Sequence, residues 1–74
     1  MVKVTMKDGK TYEGDLWTWR PVQGWFALLD DHAPERIWLR DVSQAVNKNV
    51  WRTVKGPEDV DMLERAKKEG WAGG

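Results

Sequence analysis

The chain has 74 residues, no cysteine, and twelve basic and twelve acidic side chains. A chain of this length forms one domain whose buried apolar surface barely offsets chain entropy, and the lack of cysteine excludes disulfides and cysteine-based zinc sites. Zero net charge argues against a dedicated nucleic-acid-binding protein. The sequence has no long apolar run and no signal-peptide pattern, so we expect a soluble, cytoplasmic protein.

The beginning of the chain predicts a β-hairpin. In residues 2–6 apolar side chains alternate with polar ones, which is the period of a half-buried strand. Asp8-Gly9 follows and predicts a tight primed turn, because glycine tolerates the positive φ that such a turn needs. The second strand is expected to run from about Lys10 to Trp19, with Gly14 marking a bend or a bulge.

Three further short strands follow the hairpin. "WFALLD" predicts the third strand, and "RIWLR" and "DVSQAV" predict the fourth and fifth. The register of the third strand stays open, with core-facing residues that are either Phe26 and Leu28 or Trp25, Ala27 and Leu29.

The chain then predicts one helix, over residues 57–70. Pro57 suits a first helical position, acidic residues follow at the positive end of the helix dipole, and Gly70 can cap the C-terminal end. A helix this short is marginal alone in water, so we expect it to dock on the sheet. The apolar stripe available for docking consists of Val60, Leu63, Ala66 and Trp71.

These elements predict a mainly β fold with one C-terminal helix. Five short strands at regular spacing favour a small antiparallel barrel, because closure removes the exposed edges of the sheet. We expect a single domain over residues 1–74, in which residues 1–54 form the barrel and a connecting strand. The helix over residues 57–70 would cover one open end of the barrel.

Several segments resemble Sm-like proteins, a family of small barrels related in shape to SH3-like barrels. "VTMKDGKTYEGDL" is similar to their first strand, Asp-Gly turn and second strand with a mid-strand glycine. "FALLDD" resembles the third strand, and "IWLRDV" resembles the fourth strand with its tight turn into the fifth. The resemblance covers roughly residues 2–46 and implies a five-stranded SH3-like/Sm-like barrel.

The RNA pocket of Sm-like proteins is not matched. Where the family carries an Asn before the third strand, this chain reads Gly24-Trp25-Phe26. The Arg-Gly near the end of the family's fourth strand is represented by Arg40-Asp41, so the arginine is kept and an acid replaces the glycine. The family's helix usually precedes the first strand, whereas here the helix is predicted at the end. The resemblance therefore implies the barrel, but not the ring assembly or the RNA site.

The sequence offers no catalytic constellation, so we expect the protein not to be an enzyme and to bind no cofactor, metal or small-molecule substrate. His32 is the only histidine, and no nucleophile is placed beside it by the pattern. The acids around it in "DDHAPE" are typical of a solvated loop rather than of a metal site.

The six tryptophans are the strongest functional signal. Alternation places Trp17, Trp19 and Trp38 on the outer face of the barrel, whereas Trp71 is expected to pack on the barrel and Trp51 to fill the gap under the helix. The three outward rings are covered by the chain's own C-terminal segment, by a second copy, or by a partner. The outward side chains that we predict to bind a partner are Trp17, Trp19, Trp38, Arg20, Arg36 and Arg40.

The first functional hypothesis is a non-enzymatic interaction module that binds a protein or self-associates through the outward tryptophan face, because tryptophan and arginine are enriched at binding hot spots. Such a module suits an adaptor, regulator or inhibitor, including one encoded by a phage or mobile element. The second hypothesis is single-stranded nucleic-acid binding by stacking on the same rings, with Arg20, Arg40 and Arg52 on the phosphates. No membrane partner is expected.

Overall fold

A computed structural model describes residues 1–48 and 59–73. The strands are β1 (Val2–Met6), β2 (Thr11–Arg20), β3 (Trp25–Leu29), β4 (Ile37–Trp38), β5 (Val42–Lys48) and β6 (Asp59–Asp61), and the helix α1 spans Met62–Lys68. A single 3-10 turn, Leu39–Asp41, joins β4 to β5. The functions predicted for Trp51, Arg52 and Pro57 fall outside the described residues.

The strands form one antiparallel sheet in the order β4-β3-β2-β1-β5-β6. The mainly β fold with one helix is confirmed, but the prediction of five strands is wrong, because residues 59–61 add a sixth beside β5. Within the described residues the sheet is not closed into a barrel, since no ladder joins β4 to β6. These two outer strands span only two and three residues, so each offers little backbone for closure.

The predicted hairpin between β1 and β2 is confirmed, although its turn is wider than predicted. The Gly9 N–H donates to the Met6 carbonyl at 3.0 Å, and the Met6 N–H donates to the Lys10 carbonyl at 2.8 Å. Gly9 has a φ of 94°, and no other described residue of this loop has a positive φ. A primed two-residue turn needs two such residues, so the loop is the three-residue type that ends on a left-handed glycine.

Gly14 lies where the backbones of β2 and β3 approach closely. It is buried, and a Cβ atom built there would stand 2.7 Å from the carbonyl oxygen of Leu29. Of the bend or bulge predicted at this glycine, the bulge is found further along β2, where the pairing with β3 shifts register between Leu16 and Thr18. Gly14 thus allows backbone contact, and the bulge beyond it changes which side chains face inward.

The core lies between the inner face of the sheet and α1. Phe26 and Leu28 of β3 are buried, which resolves the register of this strand in favour of the first alternative, and Leu29 is exposed. The remaining fully buried side chains come from every part of the fold except β2 and β6: Val2, Val4, Ile37, Leu39, Ala45, Met62 and Ala66.

The helix begins later than predicted, at Met62. The Asp61 carboxylate accepts hydrogen bonds from the backbone N–H groups of Leu63 and Glu64, which makes Asp61 the N-cap. Residues 59 and 60, predicted to be helical, instead pair with β5. A carboxylate that accepts hydrogen bonds from the first free N–H groups fixes the start of a helix. Acidic residues that are merely near the start do not fix it as effectively.

The C-terminal end of the helix follows the prediction. Gly70 has a φ of 108°, the Trp71 N–H donates to the Ala66 carbonyl at 2.9 Å, and the Gly70 N–H donates to the Lys67 carbonyl at 3.3 Å. This pair of backbone hydrogen bonds is a Schellman motif. It turns Trp71 back against the core, as predicted, together with Leu63 and Ala66 of the docking stripe. Val60 does not belong to the stripe, because it lies exposed on β6.

Candidate functional site

A β-bulge separates the two tryptophans of β2. Leu16 pairs with Leu28, Thr18 pairs with Ala27, and Trp17 between them has no partner on β3. One extra residue in a strand reverses the alternation of every residue that follows it. Leu16 and Trp19 therefore both face the core, although they stand three positions apart, and Trp17 faces outward.

Trp19 is held by the core and by the C-terminal helix. It pairs directly with Phe26, and the centroids of the two rings are 5.8 Å apart at a tilt of 50°. Its Nε1–H donates to the Glu69 carboxylate at 2.6 Å. The Arg65 guanidinium lies 5.1 Å from the Trp19 ring centroid, and the Arg65 Nε–H donates to the same Glu69 oxygen at 3.0 Å. Trp19 thus joins sheet and helix.

The prediction that Trp19 lies on the outer face is wrong, because the bulge was not anticipated from alternation. Of the three coverings considered for the outward rings, the chain's own C-terminal segment covers Trp19. It does not cover Trp17, whose side chain remains 68% exposed, as predicted for an outward residue.

Trp17 lies in an exposed apolar region. Leu29, which pairs with Asp15 near the bulge, is 59% exposed, and the two are the most exposed large apolar side chains of β2 and β3. Ala27 lies on the same outer face of the sheet but is only 7% exposed. Single exposed apolar residues are common, but an exposed tryptophan beside an exposed leucine forms a patch that a partner can bury.

Trp25 and Trp38 extend this face onto β4. They pair directly across the strands, and their neighbours Phe26 and Ile37 pair on the buried side. The Leu39 N–H donates to the Gly24 carbonyl at 2.9 Å, so Trp25 and Trp38 form a non-hydrogen-bonded pair. In such a pair the Cα atoms are only about 4.5 Å apart, which brings the two side chains together. The outward position predicted for Trp38 is confirmed.

Three arginines surround this tryptophan pair. The Arg36 guanidinium carbon lies 4.7 Å from the Trp25 ring centroid, and the Arg40 guanidinium carbon lies 5.2 Å from that of Trp38. Arg20 pairs with Trp25 from the other side, on β2. All three arginines are exposed. The outer face, which we call the tryptophan–arginine face, consists of Trp17, Trp25, Leu29, Trp38, Arg20, Arg36 and Arg40.

The arginines of this face carry charge that the described part of the chain does not neutralise. Among residues 1–48 and 59–73, no carboxylate forms an ion pair with Arg20, Arg36 or Arg40. Glu35 and Asp41 adjoin Arg36 and Arg40 in the sequence, and Asp15 lies beside Leu29 on the same outer face, but within the described residues none of them forms an ion pair with the three arginines.

Of the predicted partner-binding residues, the structure brings together Trp38, Arg20, Arg36 and Arg40, with Trp17 on the same face, and it separates Trp19 from them. Sequence reasoning left Trp25 undecided, yet this residue contacts Arg36 and lies between Arg20 and Trp38. Once Phe26 and Leu28 are assigned to the core, alternation places Trp25 on the outer face, but the sequence did not decide the register of β3.

Other regions offer less chemistry. A cleft of about 380 Å³ is lined by Lys3, Tyr12, Asp30 and His32, among others. The backbone N–H of His32 donates to the Asp30 carboxylate at 3.0 Å within the loop. In the part of the chain that the structure describes, no three potential metal-ligating side chains gather. The same residues include no helix long and apolar enough to cross a bilayer.

Comparison with known proteins finds no matching family model, no similar curated protein and no similar solved structure.

Proposed function

We propose that the protein is a non-enzymatic interaction module that binds another protein chain through the tryptophan–arginine face. The observation that carries the proposal is the exposure of Trp17, held outward by a bulge beside an exposed Leu29. A tryptophan buries a large rigid area at little entropic cost, so an exposed one is a strong anchor for binding. The surrounding arginines supply the polar rim of a typical interface.

Protein binding fits the face better than base stacking. The rings of Trp25 and Trp38 already have guanidinium groups packed against them, so one of their surfaces is occupied. Nucleic-acid affinity comes largely from neutralising phosphates, and the chain as a whole has no excess of cations.

The partner is either a different protein or a second copy of this chain. A two-fold contact between two outer faces would bury both Trp17 side chains. Such a small domain gains stability from any partner that binds only its folded state.

Crosslinking tests the proposal directly. We expect benzoylphenylalanine in place of Trp17 to give covalent adducts in lysate that protease removes and nuclease leaves intact. The same amino acid in place of Lys10, exposed at the hairpin, is the matched control. Adducts at position 17 that are no stronger than those at position 10 would contradict the proposal.

Sedimentation velocity between about 1 μM and 1 mM separates self-association from binding of another protein. If the partner is a second copy, the sedimentation coefficient rises with concentration and W17A abolishes the rise, whereas K10A does not. If the protein stays monomeric throughout, the adducts of position 17 must contain a different protein.

Single-stranded nucleic acid is the second candidate, favoured by the three arginines that have no carboxylate partner among the described residues. Such a complex should weaken steeply with salt, by about 0.7 in log affinity per log salt for each phosphate contacted. An apolar protein contact changes little over the same range.

We also propose that the fold is related to Sm-like or SH3-like barrels. The Asp-Gly hairpin, the glycine in β2 and the tight turn from β4 into β5 support this relationship. A comparison of the strand order in this sheet and of the position of the helix with those of such barrels tests this relationship.

A further inference from the structure

We propose that the partner segment is acidic and that its carboxylates bind to Arg36 and Arg40, each beside the tryptophan on which that arginine stacks. This inference rests on the proposed protein-binding function and adds the chemistry of the partner. Its basis is a comparison between three tryptophan–arginine pairs within the same chain.

One of the three pairs is complete. Arg65 stacks on Trp19, and the Glu69 carboxylate accepts hydrogen bonds from both the Arg65 Nε–H and the Trp19 Nε1–H. A guanidinium that stacks through its flat face keeps its N–H groups at the edge, where a carboxylate can accept them. The tryptophan indole N–H is a second donor toward the same oxygen. The arrangement is a triad of ring, cation and carboxylate.

The other two pairs lack the carboxylate. Arg36 stacks on Trp25 and Arg40 stacks on Trp38 at distances similar to that of Arg65 on Trp19, which are 4.7, 5.2 and 5.1 Å. Among the residues that the structure describes, no carboxylate pairs with either arginine, and the indole N–H groups of Trp25 and Trp38 make no hydrogen bond to any other of these residues. Each pair therefore presents the donors that Glu69 satisfies elsewhere.

The two open pairs lie side by side. Trp25 and Trp38 form a close cross-strand pair, and each holds its own arginine on the exposed surface. Packing against a ring restricts the long arginine side chain before any partner arrives, which lowers the entropic cost of binding. Charge-assisted hydrogen bonds from guanidinium to carboxylate are among the strongest in proteins. A segment with neighbouring acids thus fits this part of the face.

Trp17 and Leu29 indicate that the partner segment also carries an apolar residue. They are exposed and apolar, and they lie on the same outer face. The expected segment therefore carries acidic residues for the arginine pairs and an apolar residue for the region around Trp17.

The test is selection from a phage-displayed library of randomised peptides of about 12 residues, with the full chain as bait. We expect Asp and Glu to be enriched at least about threefold over the starting library, and replacement of the acids of a selected peptide by Asn and Gln to weaken binding at least about tenfold. The double variant R36Q/R40Q should lose both preferences. The double variant K7Q/K10Q removes the same charge in the hairpin and should keep them.

A second variant distinguishes hydrogen-bond geometry from charge. R36K/R40K keeps the positive charge but lacks the planar fork, so we expect it to bind the acidic peptide more weakly than the natural chain and more tightly than R36Q/R40Q. The arginines are exposed, and urea denaturation verifies that each variant remains folded.

The outcomes separate the two proposals. Peptides that require Trp17 but show no enrichment of acids would overturn this inference and leave the proposed protein-binding function in place. Selection of no peptide would overturn the inference, and the crosslinking experiment would still decide the proposed function. Tighter binding of oligothymidylate than of any acidic peptide, lost in R36Q/R40Q, would assign the arginines to phosphates and overturn it as well.

Discussion

Trp17 and Trp19 are two residues apart on one strand, yet they occupy opposite environments. Trp19 contacts Phe26 and donates a hydrogen bond to Glu69 of the C-terminal segment. Trp17 is 68% exposed on the outer face. The bulge at Trp17 accounts for the difference, because an extra residue in β2 turns Trp19 inward while Trp17 remains outside.

This difference shows how one chain uses the same residue type for stability and for binding. The inner ring is satisfied by the chain's own arginine and carboxylate. The outer rings of Trp25 and Trp38 have an arginine but no carboxylate from the described part of the chain. Substitutions around the inner ring and around the outer rings test whether these two environments contribute differently to the free energy of unfolding.

Among the substitutions, the largest effect is expected from Trp19→Ala. Loss of the ring removes packing against Phe26 and both contacts with the helix, so the free energy of unfolding should fall by about 3 kcal/mol. Trp17→Ala should change it by less than about 0.5 kcal/mol, because that ring makes little contact within the fold. Urea denaturation followed by circular dichroism measures both. Similar losses for the two variants would contradict the assignment of one ring to the core and the other to the surface.

If Trp19→Ala is too unstable to measure, Trp19→Phe is the milder variant. It retains a ring against Phe26 and removes only the indole donor to Glu69, so we expect a loss of about 1 kcal/mol.

Deletion of Trp17 is expected to have a smaller effect than the loss of the Trp19 ring. Without Trp17 the strand becomes regular, and Leu16 and Thr18 can keep their pairing with Leu28 and Ala27. We expect the chain to fold with a loss of about 1–2 kcal/mol in unfolding free energy. Deletion of Ala27 is the matched control on β3, and it should prevent folding because it places Phe26 and Leu28 on opposite faces. Unfolding after removal of Trp17 would show that the bulge itself is required.

Glu69→Gln should have an effect of about 1 kcal/mol on the free energy of unfolding. The amide can still accept from the Trp19 indole, but the ion pair with Arg65 is lost. Glu64→Gln is the control, because it removes only an exposed pair with Lys67 and should cost less than about 0.5 kcal/mol. Equal effects of the two substitutions would mean that the Arg65–Glu69 ion pair beside Trp19 contributes no more than the exposed pair between Lys67 and Glu64.

The smallest effect is expected for Arg36→Gln. Its stacking on Trp25 is exposed and no internal carboxylate in the described residues depends on it, so stability should fall by about 0.5 kcal/mol or less. Thermal unfolding by circular dichroism measures this change. A larger loss would indicate that Arg36 serves the fold, and its availability to a partner would then need another explanation.

Much of the architecture could be predicted from local patterns. Alternation identified β1, and Asp8-Gly9 identified the hairpin, because these signals depend only on residues close in sequence. Gly70 likewise marked the end of the helix, since few residues other than glycine adopt a left-handed conformation without strain. The start of the helix was missed because pairing of residues 59–61 with β5 is a contact distant in sequence.

The candidate site was predictable only in part. Composition indicated that tryptophan and arginine would form it, and Trp17, Trp38, Arg20, Arg36 and Arg40 do lie on the outer face. It was not predictable that Trp25 lies on the outer face and Trp19 does not. The sequence of a strand with a bulge does not differ recognisably from that of a regular strand. The register between β2 and β3 settles the matter, and it depends on how two strands fit together.

The amino-acid order was sufficient to locate the first five strands, the hairpin and the C-terminal cap, because propensity, alternation and glycine conformation act within a few residues. Only the tertiary structure decided which tryptophans are covered, because that depends on a one-residue shift in pairing and on Glu69 reaching Trp19 from fifty positions away. The identity of the surface left for a partner is a consequence of that packing.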